Sequence, residues 1–121
     1  MVYMDGDNNL EPYALADFNE MEQVDANGHT INVIVLLDRC NGETTADGDW
    51  KGTRLYNILH DTSNLKINSE RLADSQYLKI TNTGDSDELN MGDPDTLSNF
   101  ISFGKENYPA DYYSLILWDH G

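Results

Sequence analysis

The chain is short of positive charge, of cysteine and of long apolar runs. Seven Lys and Arg stand against 22 Asp and Glu in 121 residues, a formal net charge of -15. Nucleic acid and anionic membrane surfaces both demand basic patches, so this deficit argues against them as partners. It fits a solvated acidic surface, cation binding or a cationic ligand. A single cysteine, Cys40, forbids an internal disulfide framework and leaves the redox compartment open. No apolar stretch reaches the roughly 18–20 residues of a membrane span, and no basic segment leads into an apolar one as in a signal peptide. Low-complexity tracts, linkers and repeats are also missing. What remains is one α/β domain over residues 1–121, expected to be the truncated N-terminal portion of something larger.

Strand-like and helix-like patterns alternate along it. Met1-Val2-Tyr3-Met4 reads as the second half of a buried strand, with residues expected upstream, and ends at the polar turn Asp5-Gly6-Asp7-Asn8-Asn9. Leu10, Tyr13, Ala14, Phe18, Met21 and Val24 recur at three- and four-residue spacing, which predicts an amphipathic helix over 10–24. Asn8 or Asn9 would cap it, Glu11-Pro12 suits its first turn, and Asn27-Gly28 would stop it. Ile31 to Leu37 is a nearly continuous apolar run, as a strand covered on both faces requires. Strand, helix and strand make a βαβ unit with parallel strands.

Residues 41–52 are polar and glycine-rich and predict a loop. Thr53–Leu59 and Tyr77–Thr81 suggest shorter strands. Asp93-Pro94 has the form of a cap and first helical residue, with Leu97, Phe100, Ile101 and Gly104 facing inward. A last strand follows from Tyr112 to Trp118, and Asp119-His120-Gly121 comes directly after it. Ligands of open α/β sheets bind outside the carboxyl ends of strands. A histidine there, with an ordinary pKa near ~6.5, can serve as a general base at neutral pH. Asp119 and His120 alternate in direction on an extended chain, so the aspartate need not orient the imidazole. Taken alone, a His-Gly pair after a strand also describes a turn with a solvated histidine.

Other polar groups have plainer readings. Asp5-x-Asp7-x-Asn9 imitates a calcium loop and then fails, with Leu10 where glycine is needed and Ala16 where the bidentate glutamate is needed. An irregular cation site using Asp5, Asp7 or the Asp85-Asp87-Glu88 cluster stays open. Asp38-Arg39, at a strand end, is placed for a salt bridge that braces loops. His29 and His60 have no partner at ligand spacing and read as surface histidines.

Four blocks in register resemble the clostripain family of cysteine peptidases. They are Val2-Tyr3-Met4-Asp5-Gly6-Asp7-Asn8-Asn9-Leu10-Glu11, Val33-Ile34-Val35-Leu36-Leu37-Asp38-Arg39, Glu88-Leu89-Asn90-Met91-Gly92-Asp93-Pro94, and Tyr108-Pro109-Ala110-Asp111 through Leu115-Ile116-Leu117-Trp118-Asp119-His120-Gly121. The resemblance implies a caspase-like α/β/α sandwich with a mainly parallel sheet and a cysteine–histidine dyad. His120 matches the catalytic histidine, and Gly121 the glycine beside it, where a backbone N–H would help hold an oxyanion. It further implies cleavage of peptides after basic residues, arginine especially, calcium as a structural or activating ion, internal cleavage in some members, and a secreted or cell-envelope bacterial protein.

The nucleophile does not match. In caspases the histidine precedes the cysteine by about 50 residues, so a similar order puts the thiol beyond Gly121. Cys40 precedes His120 and reads as a structural or incidental thiol. The chain by itself is therefore expected to be inactive. Two other functions stand beside this one: a non-catalytic binding or structural domain of a degenerate member, and a Mg-dependent phosphohydrolase using Asp5 and Asp7. The second resembles haloacid-dehalogenase-like phosphatases, but Asn9 stands where that family prefers threonine or valine.

Overall fold

Strand β1, Val2–Gly6, lies inside the sheet because its residues are apolar on both faces; Val2 and Met4 face one layer and Tyr3 the other. The computed structural model describes residues 1–25, 31–63, 65–84 and 87–121. Its elements continue with α1 (Glu11–Glu22), β2 (Ile34–Arg39), β3 (Gly52–Asn57), β4 (Glu70–Leu72), α2 (Pro94–Asn107) and β5 (Ile116–Trp118). The sheet order is β4-β3-β2-β1-β5. β1 pairs in parallel with β2 (Val2 opposite Val35) and with β5 (Val2 opposite Ile116). β3 and β4 add an antiparallel meander to the far side of β2, so the sheet is mixed and its parallel part surrounds β1.

Alternation along the strands sorts the core into two layers. Val2, Met4, Val35, Leu37 and Tyr56 pack under α1 with Ala14, Leu15, Phe18 and Trp50. Tyr3, Ile34, Leu36 and Leu55 pack on the opposite face with Phe100 and Phe103 of α2 and with Leu78 and Ile80. The result is the expected α/β/α sandwich.

Local details differ from the sequence reading. β1 runs on through Asp5 and Gly6, which pair with Asp38 and Arg39 in the β2 ladder. Glycine is required at position 6, where a Cβ would stand 2.7 Å from the Asp38 carbonyl oxygen and 3.2 Å from the Ala14 methyl. β2 begins at Ile34 rather than Ile31, which is exposed, and extends to Arg39. Helix α1 starts from Leu10, with no side-chain cap, so neither Asn8 nor Asn9 plays that part. The expected stop at Asn27-Gly28 lies outside the described residues, as does His29.

Residues 41–51 form the expected loop, with a single 3-10 turn at Ala46–Gly48. Tyr77–Thr81 is no strand: one isolated bridge joins Ile80 to Asp74, while the pairing partner of β3 is the unanticipated Glu70–Leu72. In α2, Asp93 caps as expected, its side chain accepting from Asp95 N at 2.9 Å, and Phe103 joins Phe100 and Gly104 as the buried face. β5 is only three residues long, since only Ile116 to Trp118 pair with β1, and it is an edge strand whose Ile116 and Leu117 are exposed.

Candidate active site

From β1 the chain crosses through α1 to β2 on one side, and it comes back by way of β3, β4 and α2 to β5 on the other. The crevice between the carboxyl ends of β1 and β5 is thus the switch point of the parallel sheet, the position at which open α/β sheets bind ligands. His120 follows β5 into that crevice and meets the loop that follows β1.

The meeting is specific. Asn9 Oδ1 lies 3.0 Å from His120 Nε2. Asn8 Nδ2 donates to Asp119 Oδ1 at 3.0 Å and to the Asp5 carbonyl at 3.1 Å, while Asn8 Oδ1 accepts from Leu10 N at 2.8 Å. Asp119 and His120 therefore take separate partners, as their alternating directions require. Gly121 stands in open space at the end of the described chain. The two asparagines, read from sequence as helix caps, are instead the groups that hold the Asp-His pair. Only their position after a strand end could have signalled this.

Behind that loop lies a buried ion pair. Arg39 Nε donates to Glu11 Oε1 at 2.7 Å, with both side chains fully buried. Arg39 Nη2 donates to the Ala46 carbonyl at 3.1 Å, and Thr44 N donates to Glu11 Oε2 at 3.0 Å. The Arg39 guanidinium also sits 4.6 Å from the centre of the Trp50 ring. Arg39 does brace loops, then, but through Glu11; Asp38 points to the opposite face of β2. Cys40 is half-buried, its thiol donating to the Asn8 carbonyl at 3.5 Å. Burial first, and then the charges of Glu11, Asp7 and Glu43, push its pKa up, the reverse of what activates a nucleophile.

On the α2 side of the same strand ends is a cleft of about 450 Å³ lined by Asp5, Asp7, Asp38, Glu88 and residues 89–92. Asp38 is buried, and Thr53 Oγ1 donates to its Oδ1 at 2.8 Å while accepting from Leu89 N at 2.9 Å. Burial pushes the Asp38 carboxyl up to about 7; the Thr53 hydrogen bond opposes this, and the charges of Glu88, Asp7 and Asp5 add to it. Asp5 is raised as well, by burial and by the charges of Asp119 and Asp7, against the hydrogen bond from Asp7 N.

Asp7, Asp38 and Glu88 each offer an oxygen, all within 4.8 Å of one another. The sequence reading had Asp7 and Glu88 in separate cation candidates and left Asp38 out, because only the fold brings the three together. Asp87 turns away to accept from Thr81 N and Oγ1, both at 2.7 Å, and Asp85 lies outside the described residues. His60, exposed, has its Nδ1 3.2 Å from the Glu22 carbonyl, far from these groups in the sheet.

The sandwich is of the caspase-like kind, the fold of the solved cysteine protease structures it is similar to. A family model described as the Clostripain family matches residues 2–121. The chain is 38% identical to clostripain of Hathewaya histolytica over 125 residues, covering all of this chain and 23% of that protein. It is similar in structure to a B. fragilis cysteine protease, with a TM-score of 0.64, 27% identity, and coverage of 99% of this chain and 85% of that one. A secreted C11 cysteine protease from Bacteroides thetaiotaomicron, solved with an irreversible peptide inhibitor, gives a TM-score of 0.65 and 27% identity over 99% of this chain and 28% of its own. The chain belongs to the clostripain family, and it spans about a quarter of the curated relative's length.

Proposed function

We propose that the chain is the N-terminal part of a cysteine endopeptidase in which His120 is the general base and acid for a cysteine beyond Gly121. The observation that carries this is the position of His120 at the carboxyl end of β5, in the switch-point crevice beside β1. There the imidazole would take the thiol proton as sulfur attacks the scissile carbonyl, and return it to the leaving amine as the acyl-enzyme forms. Acid–base help of this kind is worth roughly 10²–10⁴ in rate. The Gly121 N–H would help hold the oxyanion.

Cleavage after arginine or lysine belongs to the same reading. It is supported by membership of the clostripain family, and the residues of the basic-residue pocket are expected beyond Gly121. For the calcium ion that the resemblance implies, Asp7, Asp38 and Glu88 have the fitting donor chemistry, since Ca²⁺ takes carboxylate oxygens as part of a six- to eight-oxygen shell. Bound there, the ion would neutralise a carboxylate cluster that otherwise repels itself. Export from the cell is also inferred, by likeness to the secreted relative. In the full-length protein, His120→Ala should reduce hydrolysis of an arginyl-amide substrate to background; activity within tenfold of the parent would overturn the assignment.

A further inference from the structure

We propose that Asn9 is a positioning residue for His120: its amide oxygen accepts from Nε2–H, fixing the imidazole tautomer that leaves Nδ1 as the base. The inference rests on the reading of His120 as the acid–base group. It starts from the 3.0 Å contact between Asn9 Oδ1 and His120 Nε2, across 111 residues of sequence. With the amide oxygen turned to the ring, Nε2 is the nitrogen placed to donate to it, and in neutral imidazole the lone pair then lies on the other nitrogen.

The asparagine is itself held in place. Asn8, next to it, is tied to the Asp5 carbonyl, to Leu10 N and to Asp119. Glu11 N donates to the Asn8 carbonyl at 3.1 Å, and the Glu11 carboxylate is locked by buried Arg39 and by Thr44 N. A rigid support on both sides of Asn9 is what a group that orients another side chain needs. Asp119, the carboxylate next to His120 in sequence, is engaged by Asn8 instead. A neutral acceptor also stabilises the imidazolium by hydrogen bonding without adding charge to a site already rich in carboxylates.

The test uses the full-length protein with three variants, an arginyl-amide substrate, and ¹⁵N NMR of the labelled histidine side chains. Asn9→Ala should lower kcat about 10- to 100-fold with KM changed less than threefold, since misorientation penalises the chemical step. It should also remove the Nε2–H preference of His120. Asn9→Asp should restore at least a third of kcat and shift the imidazole ionisation in the pH–rate profile upward, a response that mere loop support would not produce. Parent-like kcat in Asn9→Ala, an Nδ1–H tautomer in the parent, or Asn9→Asp as impaired as Asn9→Ala with an unshifted profile would each overturn the proposal. His120→Ala separates the two readings: if it stays active, the acid–base assignment itself fails; if it is inactive while Asn9→Ala matches the parent, only the role of Asn9 fails.

Discussion

The two helices cover opposite faces of one sheet by different means. Helix α2 buries Phe100, Phe103 and Gly104, and its polar tie at the start is local, from Asp93 to Asp95 N. Helix α1 buries Ala14, Leu15 and Phe18, but also Glu11, Asn19 and Glu22. Its two buried glutamates lie at its two ends and reach far along the chain. Glu11 binds Arg39 and Thr44; Glu22 accepts from Asn68 N at 3.0 Å and Ser69 N at 2.7 Å. α2 therefore meets the sheet through an apolar face, with its exposed Glu106 accepting from Tyr77 Oη and Gln76 Nε2 near its end, whereas α1 is a splint whose buried glutamates fix loops by directional contacts. The loop leading into α1 carries Asn8 and Asn9, so the splint lies directly behind the candidate site.

The sharpest way to break this contrast is at the buried pair. Arg39→Ala removes the buried counter-charge of Glu11, leaving its carboxylate only the Thr44 N–H bond of those described above, and should cost about 3–5 kcal/mol. In urea denaturation of the full-length protein, Arg39→Met combined with Glu11→Leu should recover most of that loss. If the splint reading holds, the double variant stays folded yet loses activity, because the loop before α1 is no longer tied to Thr44.

A second, smaller effect belongs to the α2 side, where the cleft keeps Asp38 buried. Its pKa is raised from 3.8 to about 7, so the folded protein retains this proton between about pH 4 and 7 while the unfolded chain has lost it. Stability supplied by that proton is complete below the unfolded pKa and is lost as pH rises through the folded one. With a chelator present, Asp38→Asn should stabilise the protein by on the order of 2 kcal/mol at pH 8, and the gain should vanish towards pH 4. Melting temperatures across that range would show it; a gain that does not vary with pH would contradict it.

The smallest effect is expected where the α2 contact is most local. Asp93→Ala removes one cap and should lower stability by about 1 kcal/mol without altering turnover, measured by parallel melting and kinetic assays.

The same contrast explains what could be read in advance. α2 was legible because its signals are neighbours in sequence: Asp93, Pro94 and an apolar repeat. The start of α1 differs from the sequence reading because the Asn8 side-chain oxygen accepts from Leu10 N, too early to cap the helix, while its amide nitrogen goes to Asp119 and the Asn9 oxygen to His120 from the far end of the chain. Glu70–Leu72 gave no strand signal, being a short, mostly polar edge that is defined only by pairing with β3. Leu78 and Ile80 looked like a strand because they are buried, yet they fill α2's layer from irregular backbone.

By itself the sequence determined the alternation of strand and helix, the burial of β1 and β2 on both faces, and the arrival of a histidine at a strand's carboxyl end. Those follow from periodicity and from end signals a few residues apart. Which groups surround that histidine was decided by tertiary structure alone. The parallel pairing of β1 with β5 sets Asn9 against His120, and the β1–β2 register with the segment before α2 gathers Asp7, Asp38 and Glu88. No local propensity encodes contacts between residues so far apart; they exist only once the sheet has closed its crossovers.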